Sequence, residues 1–137
     1  MTRKIGIVAA VMTALVLTVS LVSAGNAHFV GTPSITTSGS TLTVSGKIAG
    51  LGNIDQINVT FTADASCVNP GTHHPKAGNK ESVGGNGTFP VQNGKADFSL
   101  SGTATFSPDC TPPMTLVWSN VQITVYDVNG NVVLTYP

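Results

Sequence analysis

Ala96-Asp-Phe-Ser-Leu-Ser-Gly-Thr-Ala-Thr-Phe106 alternates without a break. Ala96, Phe98, Leu100, Gly102, Ala104 and Phe106 share one side, and Asp97, Ser99, Ser101, Thr103 and Thr105 share the other. Successive side chains of a strand point to opposite faces, so this period of two predicts a half-buried strand with a hydroxyl-rich outer side. Asn93-Gly94 stands just before it. Both residues tolerate positive φ, so the pair predicts a two-residue hairpin turn, entered from Thr88-Phe-Pro-Val91 and left through the alternating run.

The same reading extends outward in both directions. Thr41 to Ile48 alternates polar and apolar residues, and Ala49-Gly-Leu-Gly-Asn53 is a glycine-rich connection. Gln56 to Ala65 places Ile57, Val59, Phe61, Ala63 and Ala65 on one face, and Cys67 continues that parity toward the core. Residues 66–87 recur in Pro, Gly and Asn and predict a long surface loop with room for one short strand. Thr115 to Trp118 and Val121 to Asp127 make one long strand or two. Asn129-Gly130 then turns the chain into Asn131 to Tyr136. A two-residue turn there sets Val125 opposite Leu134, Ile123 opposite Tyr136, and Tyr126 beside Val133. Phe61, Phe98 and Tyr136 are expected inside.

No segment sustains a helical period. About seven strands separated by Gly, Pro and Asn turns predict an all-β fold, a single antiparallel β-sandwich of immunoglobulin-like type with one disulfide. Thr and Ser on the outer faces suit it, since β-branched polar residues fit a pleated, solvent-facing surface. A cupredoxin-like barrel is the nearest alternative, and strand counting does not separate the two.

The chain has 137 residues, with 6 Lys+Arg against 6 Asp+Glu and only 9% charged residues, so one domain is expected. Its first 27 residues differ from the rest. Arg3 and Lys4 precede an uncharged, mostly apolar run from Ile5 to Val22, followed by Ser23-Ala24-Gly25-Asn26-Ala27. A positive start, an apolar stretch and a small-residue exit predict a signal peptide over residues 1–27 and a β-sandwich domain over 28–137. An uncleaved anchor is the competing reading, because the apolar run approaches bilayer-spanning length. Two cleavage sites are acceptable. One follows Ala24, with Val22 two residues before it, and the other follows Ala27, with Gly25 two residues before it. The expected product is secreted and extracellular, released from the membrane after signal cleavage.

Removing the leader changes the charge balance. From His28 onward the bases are Lys47, Lys76, Lys80 and Lys95, against Asp55, Asp64, Glu81, Asp97, Asp109 and Asp127, with no Arg. A mildly acidic chain without the guanidinium fork is a poor partner for nucleic acid or phosphorylated ligands.

Cys67 and Cys110 are the only cysteines. In an oxidising compartment such a pair predicts one disulfide, and the absence of C-x-x-C spacing disfavours a metal or redox role.

Few residues offer chemistry. Cleavage after Ala27 would make His28 the first residue, with a free α-amino group beside its imidazole. That pair can chelate Cu(II), and His73 or His74 could complete the site, since imidazole suits copper. Asp127-Val-Asn-Gly-Asn131 resembles the start of a calcium loop, but Val132 stands where that loop needs Gly, and a hairpin turn explains the segment. Trp118, Tyr126 and Phe89 are the aromatic residues available for a glycan surface, although Trp118 in a sandwich is more often a core plug. Asn58-Val-Thr60 and Asn86-Gly-Thr88 match the N-glycosylation sequon. No G-x-S-x-G motif is present, the acids are scattered singly, and no catalytic residue or cofactor is expected.

Several segments resemble a group of small exported bacterial proteins, largely actinobacterial. They are Ala49-Gly-Leu-Gly-Asn53, Ala63-Asp-Ala-Ser-Cys67-Val-Asn69, Pro75-Lys-Ala-Gly-Asn-Lys-Glu81, Gly87-Thr-Phe-Pro90 and Cys110-Thr-Pro-Pro113. The group tends to carry Gly-Gly where this chain has Pro70-Gly71, so the loop is expected to turn differently. The resemblance implies export and a Cys67–Cys110 bridge, and it implies no activity. The expectation is a secreted non-enzymatic protein, a cell-surface or matrix component or a binding module for an extracellular ligand. A copper-binding protein and a carbohydrate-binding module are the alternatives.

Overall fold

A computed structural model describes residues 26–71 and 79–137. Most of the expected signal peptide, and both His73 and His74, lie outside the described residues. Eight strands follow in order: β1 (His28–Phe29), β2 (Ser34–Ser38), β3 (Thr41–Ala49), β4 (Gln56–Val68), β5 (Lys80–Pro90), β6 (Ala96–Thr103), β7 (Thr115–Tyr126) and β8 (Val132–Tyr136). In sheet A, β3 is central. One of its edges pairs with β6, and the other with β2 along Thr41 to Ser45 and with β1 at Ile48 and Ala49. Strands β1 and β2 are thus one edge interrupted at Val30 to Pro33. Sheet B runs β5-β4-β7-β8, and every pairing in both sheets is antiparallel.

The chain visits sheet A with its first three strands, sheet B with two, sheet A once more, and then sheet B. No ladder joins the two sheets among the described residues. The molecule is therefore an all-β sandwich of two packed antiparallel sheets, as the alternation predicts. With β1 and β2 sharing an edge, the eight strands occupy seven positions.

Period-two alternation builds the interior. Leu42, Val44 and Ile48 from β3 meet Ile57, Val59, Phe61 and Ala63 from β4, with Ile123 and Val125 from β7 and Ala96, Phe98 and Leu100 from β6. All are buried. Leu51, in the glycine-rich connection, is fully buried as well, and its N–H donates to the Gly94 carbonyl at 2.9 Å. Aromatic rings link the two sheets. Phe98 lies 6.4 Å from Phe89 and 6.2 Å from Phe29, and Phe29 meets Tyr136 edge-on at 5.9 Å. Such geometry suits the ring quadrupoles.

The disulfide joins Cys67 at the end of β4 to Cys110 in the segment between β6 and β7, with Cα atoms 5.7 Å apart. Cys67 Sγ also touches Met114 Sδ at 3.7 Å.

Three local readings differ from expectation, and the choice between one strand and two over residues 115–127 resolves as one. Within residues 66–87, expected as a loop with room for one short strand, residues 80–87 form most of the 11-residue strand β5, despite Gly84, Gly85 and Gly87. The glycines provide room: a Cβ on Gly85 would stand 2.9 Å from the Phe61 ring, and one on Gly87 3.1 Å from Leu100. Glycine in a strand often marks such close approach. Next, Asn93 and Gly94 do take positive φ, and Gln92 and Lys95 exchange both backbone bonds. The arms then part, however, because β5 stays on β4 while β6 joins β3. The turn is a corner between sheets.

Strand β7 is a single strand bent at a bulge. Asn120 and Val121 stand against Ala63 alone, since Thr62 pairs with Gln122 and Asp64 with Ser119. Asn120 takes φ 54° there. In β8, Ile123–Tyr136 and Val125–Leu134 pair as expected, but Tyr126 faces Val132. Asp127 N–H donates to the Asn131 carbonyl at 2.9 Å, so the loop holds three residues and Val133 becomes the extra one.

Candidate functional site

One ordered polar surface is the outer face of sheet A, uncharged along three rows. Register fixes it: inward-pointing Leu42 and Val44 force Thr41, Thr43 and Ser45 outward, and the same holds for Ser99, Ser101 and Thr103 beside Phe98 and Leu100. On the other edge, Ser34, Thr36 and Ser38 face Ser45, Thr43 and Thr41. Three rows result, Ser34–Ser45–Ser99, Thr36–Thr43–Ser101 and Ser38–Thr41–Thr103, nine hydroxyl side chains with no charge among them. Adjacent strands lie about 4.8 Å apart and same-face residues about 6.7 Å apart along a strand. Thr41 and Thr103 share a hydroxyl–hydroxyl bond of 2.9 Å, and Thr43 and Ser101 one of 2.8 Å. Lys47 and Asp97 pair at 3.9 Å in the row beyond, so the rim neutralises itself.

A second polar feature lies on sheet B. A shallow concavity of about 400 Å³ is lined by Asp64, Ser66, Lys80, Glu81, Ser82, Ser119 and Asn120. Asn120 Nδ2 donates to Asp64 Oδ2 at 2.8 Å across the β7 bulge. Asp64 lies opposite Ser82 on the outer face, whereas Glu81 lies opposite buried Ala65 and points toward the inner side. The Glu81 carboxylate accepts the Thr105 N–H at 2.9 Å and its hydroxyl at 3.4 Å. The two acids thus belong to opposite faces and do not form a carboxylate pair.

His28 sits exposed in β1, paired with Ala49. Its Nδ1 bonds to the Asn26 carbonyl at 2.8 Å, the ring acting as donor. Among the described residues no group of three or more His, Cys, Asp or Glu side chains is placed to hold a metal ion. Asp127 is committed to its own turn. Its Oδ1 accepts the N–H groups of Asn129 and Asn131, each at 2.9 Å, and its Oδ2 takes the Asn131 amide at 3.3 Å. The Asn131 backbone bond, with help from Asn129, holds this carboxyl below its ordinary value.

The three aromatic residues considered for a glycan surface, Phe89, Trp118 and Tyr126, do not share a face. Phe89 and Trp118 pack against the core, Phe89 opposite Ile57 and Trp118 opposite buried Ala65, while Tyr126 lies opposite Asn58 on the outer face of sheet B. Both sequon asparagines, Asn58 and Asn86, are exposed on that face, and Thr88 Oγ1 donates to Asn58 Oδ1 at 2.5 Å.

The hydroxyl rows of β3 and β6 were visible as the polar halves of their alternation. Their assembly with Ser34 to Ser38 was not, because that segment carries no apolar alternation of its own. Among the described residues no helix is long and apolar enough to cross a membrane. The chain matches no family model, no curated protein and no solved structure.

Proposed function

We propose that the protein is exported and works outside the cytoplasm as a non-enzymatic β-sandwich, a cell-surface or matrix component that binds through the outer face of sheet A. The disulfide supports a non-cytoplasmic site of action, because such bonds persist in oxidising compartments. The leader-like residues 1–27 and the resemblance to small exported bacterial proteins support the same reading.

The nine-hydroxyl face carries the binding part of the proposal. Uncharged donors and acceptors in regular rows complement a neutral, polyhydroxylated polymer better than a charged one, so the ligand class is a neutral glycan. This differs from aromatic stacking on sugar rings, for which Phe89 and Trp118 are turned inward. The test is retention of purified protein on insoluble chitin and cellulose, compared with Thr43→Lys/Ser101→Lys. Wild-type protein is expected to be retained and the double variant to be lost to the supernatant. Absence of wild-type retention, or equal retention of both proteins, would reject this face as the glycan contact.

A further inference from the structure

Both Ala24 and Ala27 present a small residue to a signal peptidase, so the sequence leaves two possible starts for the exported chain. The fold distinguishes them. Ala27 is half-buried and packs against the main core, in company with Phe29. It also extends the β1 register one step beyond His28–Ala49, which brings it beside Gly50. Gly50 takes φ 76°, and a Cβ there would overlap the Asn26 carbonyl and stand 3.2 Å from the Ala27 nitrogen. Asn26 is thus seated in space that only glycine leaves open. Its carbonyl also accepts the His28 ring N–H at 2.8 Å.

We propose that the leader is cut after Ala24, so that the exported chain begins at Gly25 and keeps Asn26 and Ala27 as part of the folded domain. This rests on the export reading above. The step is hydrolysis of one amide by a signal peptidase. Water supplies the second oxygen of the new Ala24 carboxylate and a proton to the Gly25 nitrogen. Cutting after Ala27 would remove that residue from the core and place an ammonium group at the rim of the aromatic cluster. A further consequence concerns copper. With the α-amino group on Gly25, His28 lacks the adjacent amine that a terminal amine–imidazole chelate of Cu(II) requires.

The test uses the full chain, expressed with its own leader in an exporting bacterial host, followed by intact mass and amino-terminal sequencing of the protein in the medium. Wild-type protein is expected to start at Gly25. Ala24→Leu is expected to accumulate full-length precursor, and Ala27→Leu to be cut at the same bond as wild type. A start at Asn26 or later, or a block by Ala27→Leu with normal processing of Ala24→Leu, would overturn the assignment alone. Retention of residues 1–24 by all three chains would overturn the export reading and the assignment with it.

Discussion

The Glu81 carboxylate of β5 accepts the backbone N–H of Thr105 at 2.9 Å, tying the edge of sheet B to the chain as it leaves sheet A. A charged acceptor on a backbone donor outside any ladder stabilises by about 1–2 kcal/mol, the lower figure suiting a site in contact with water. Glu81→Ala is expected to lower unfolding stability in urea by about 1 kcal/mol, and Glu81→Gln to retain much of the difference because its amide oxygen still accepts. Equal stability of all three proteins would show that the clasp contributes nothing.

The sheets also approach closely around Phe61. A Cβ on Gly102 would stand 2.6 Å from Val83 Cγ1 and 3.0 Å from Phe61 Cζ, and both neighbours are buried. Gly102→Ala is expected to cost about 1–3 kcal/mol, as overpacking does. Adding Val83→Ala should recover part of that loss, since the two positions share one volume. Strictly additive losses in denaturant titrations would exclude this contact as the cause.

Removal of the Cys67–Cys110 bridge frees a loop with a sequence separation of 43 residues. Chain entropy sets the expected loss at roughly 4 kcal/mol. Cys67→Ser/Cys110→Ser should therefore lower the denaturant midpoint strongly, and reduction of the wild-type protein should lower it to a similar value. An unchanged midpoint would mean that the bridge does not restrict the unfolded chain.

Asp127 makes the last hairpin sensitive to acid. Its folded carboxyl sits below the ordinary value of 3.8, so the folded state resists protonation more than the unfolded one. The stabilising contribution is complete above that ordinary value and is lost as pH falls through the lower, folded value. The Asn129 and Asn131 amide resonances should shift together over that acidic window, and Asp127→Asn should remove the transition. A titration at or above the ordinary carboxyl value in wild type would contradict the turn geometry.

Much of the sandwich was legible because alternation and burial are the same fact seen twice. Ala96 to Thr103, Gln56 to Ala65 and the Ile123–Tyr136 pairing required only a period of two. Glycine is where sequence pattern and structure part most. In residues 66–87 it points to a long loop with room for one short strand, whereas Gly85 and Gly87 are small because Phe61 and Leu100 press on them from elsewhere in the chain. Asn93-Gly94 specified its local turn correctly, but two residues cannot state which sheet the outgoing arm will join. Of the candidate site, the outward sides of β3 and β6 were readable. The third row of hydroxyls, on β2, depends on a pairing partner that Ser34 to Ser38 does not encode.

Phe29 and Tyr136, whose rings meet at 5.9 Å, stand in the first and last strands of the fold. A chain delivered amino end first presents Phe29 long before the residue that covers it. Nearly the whole domain must emerge before this seam can close, and contacts of such sequence separation slow folding through the entropy of bringing distant segments together. The first aromatic ring of the sandwich therefore spends the period of delivery uncovered.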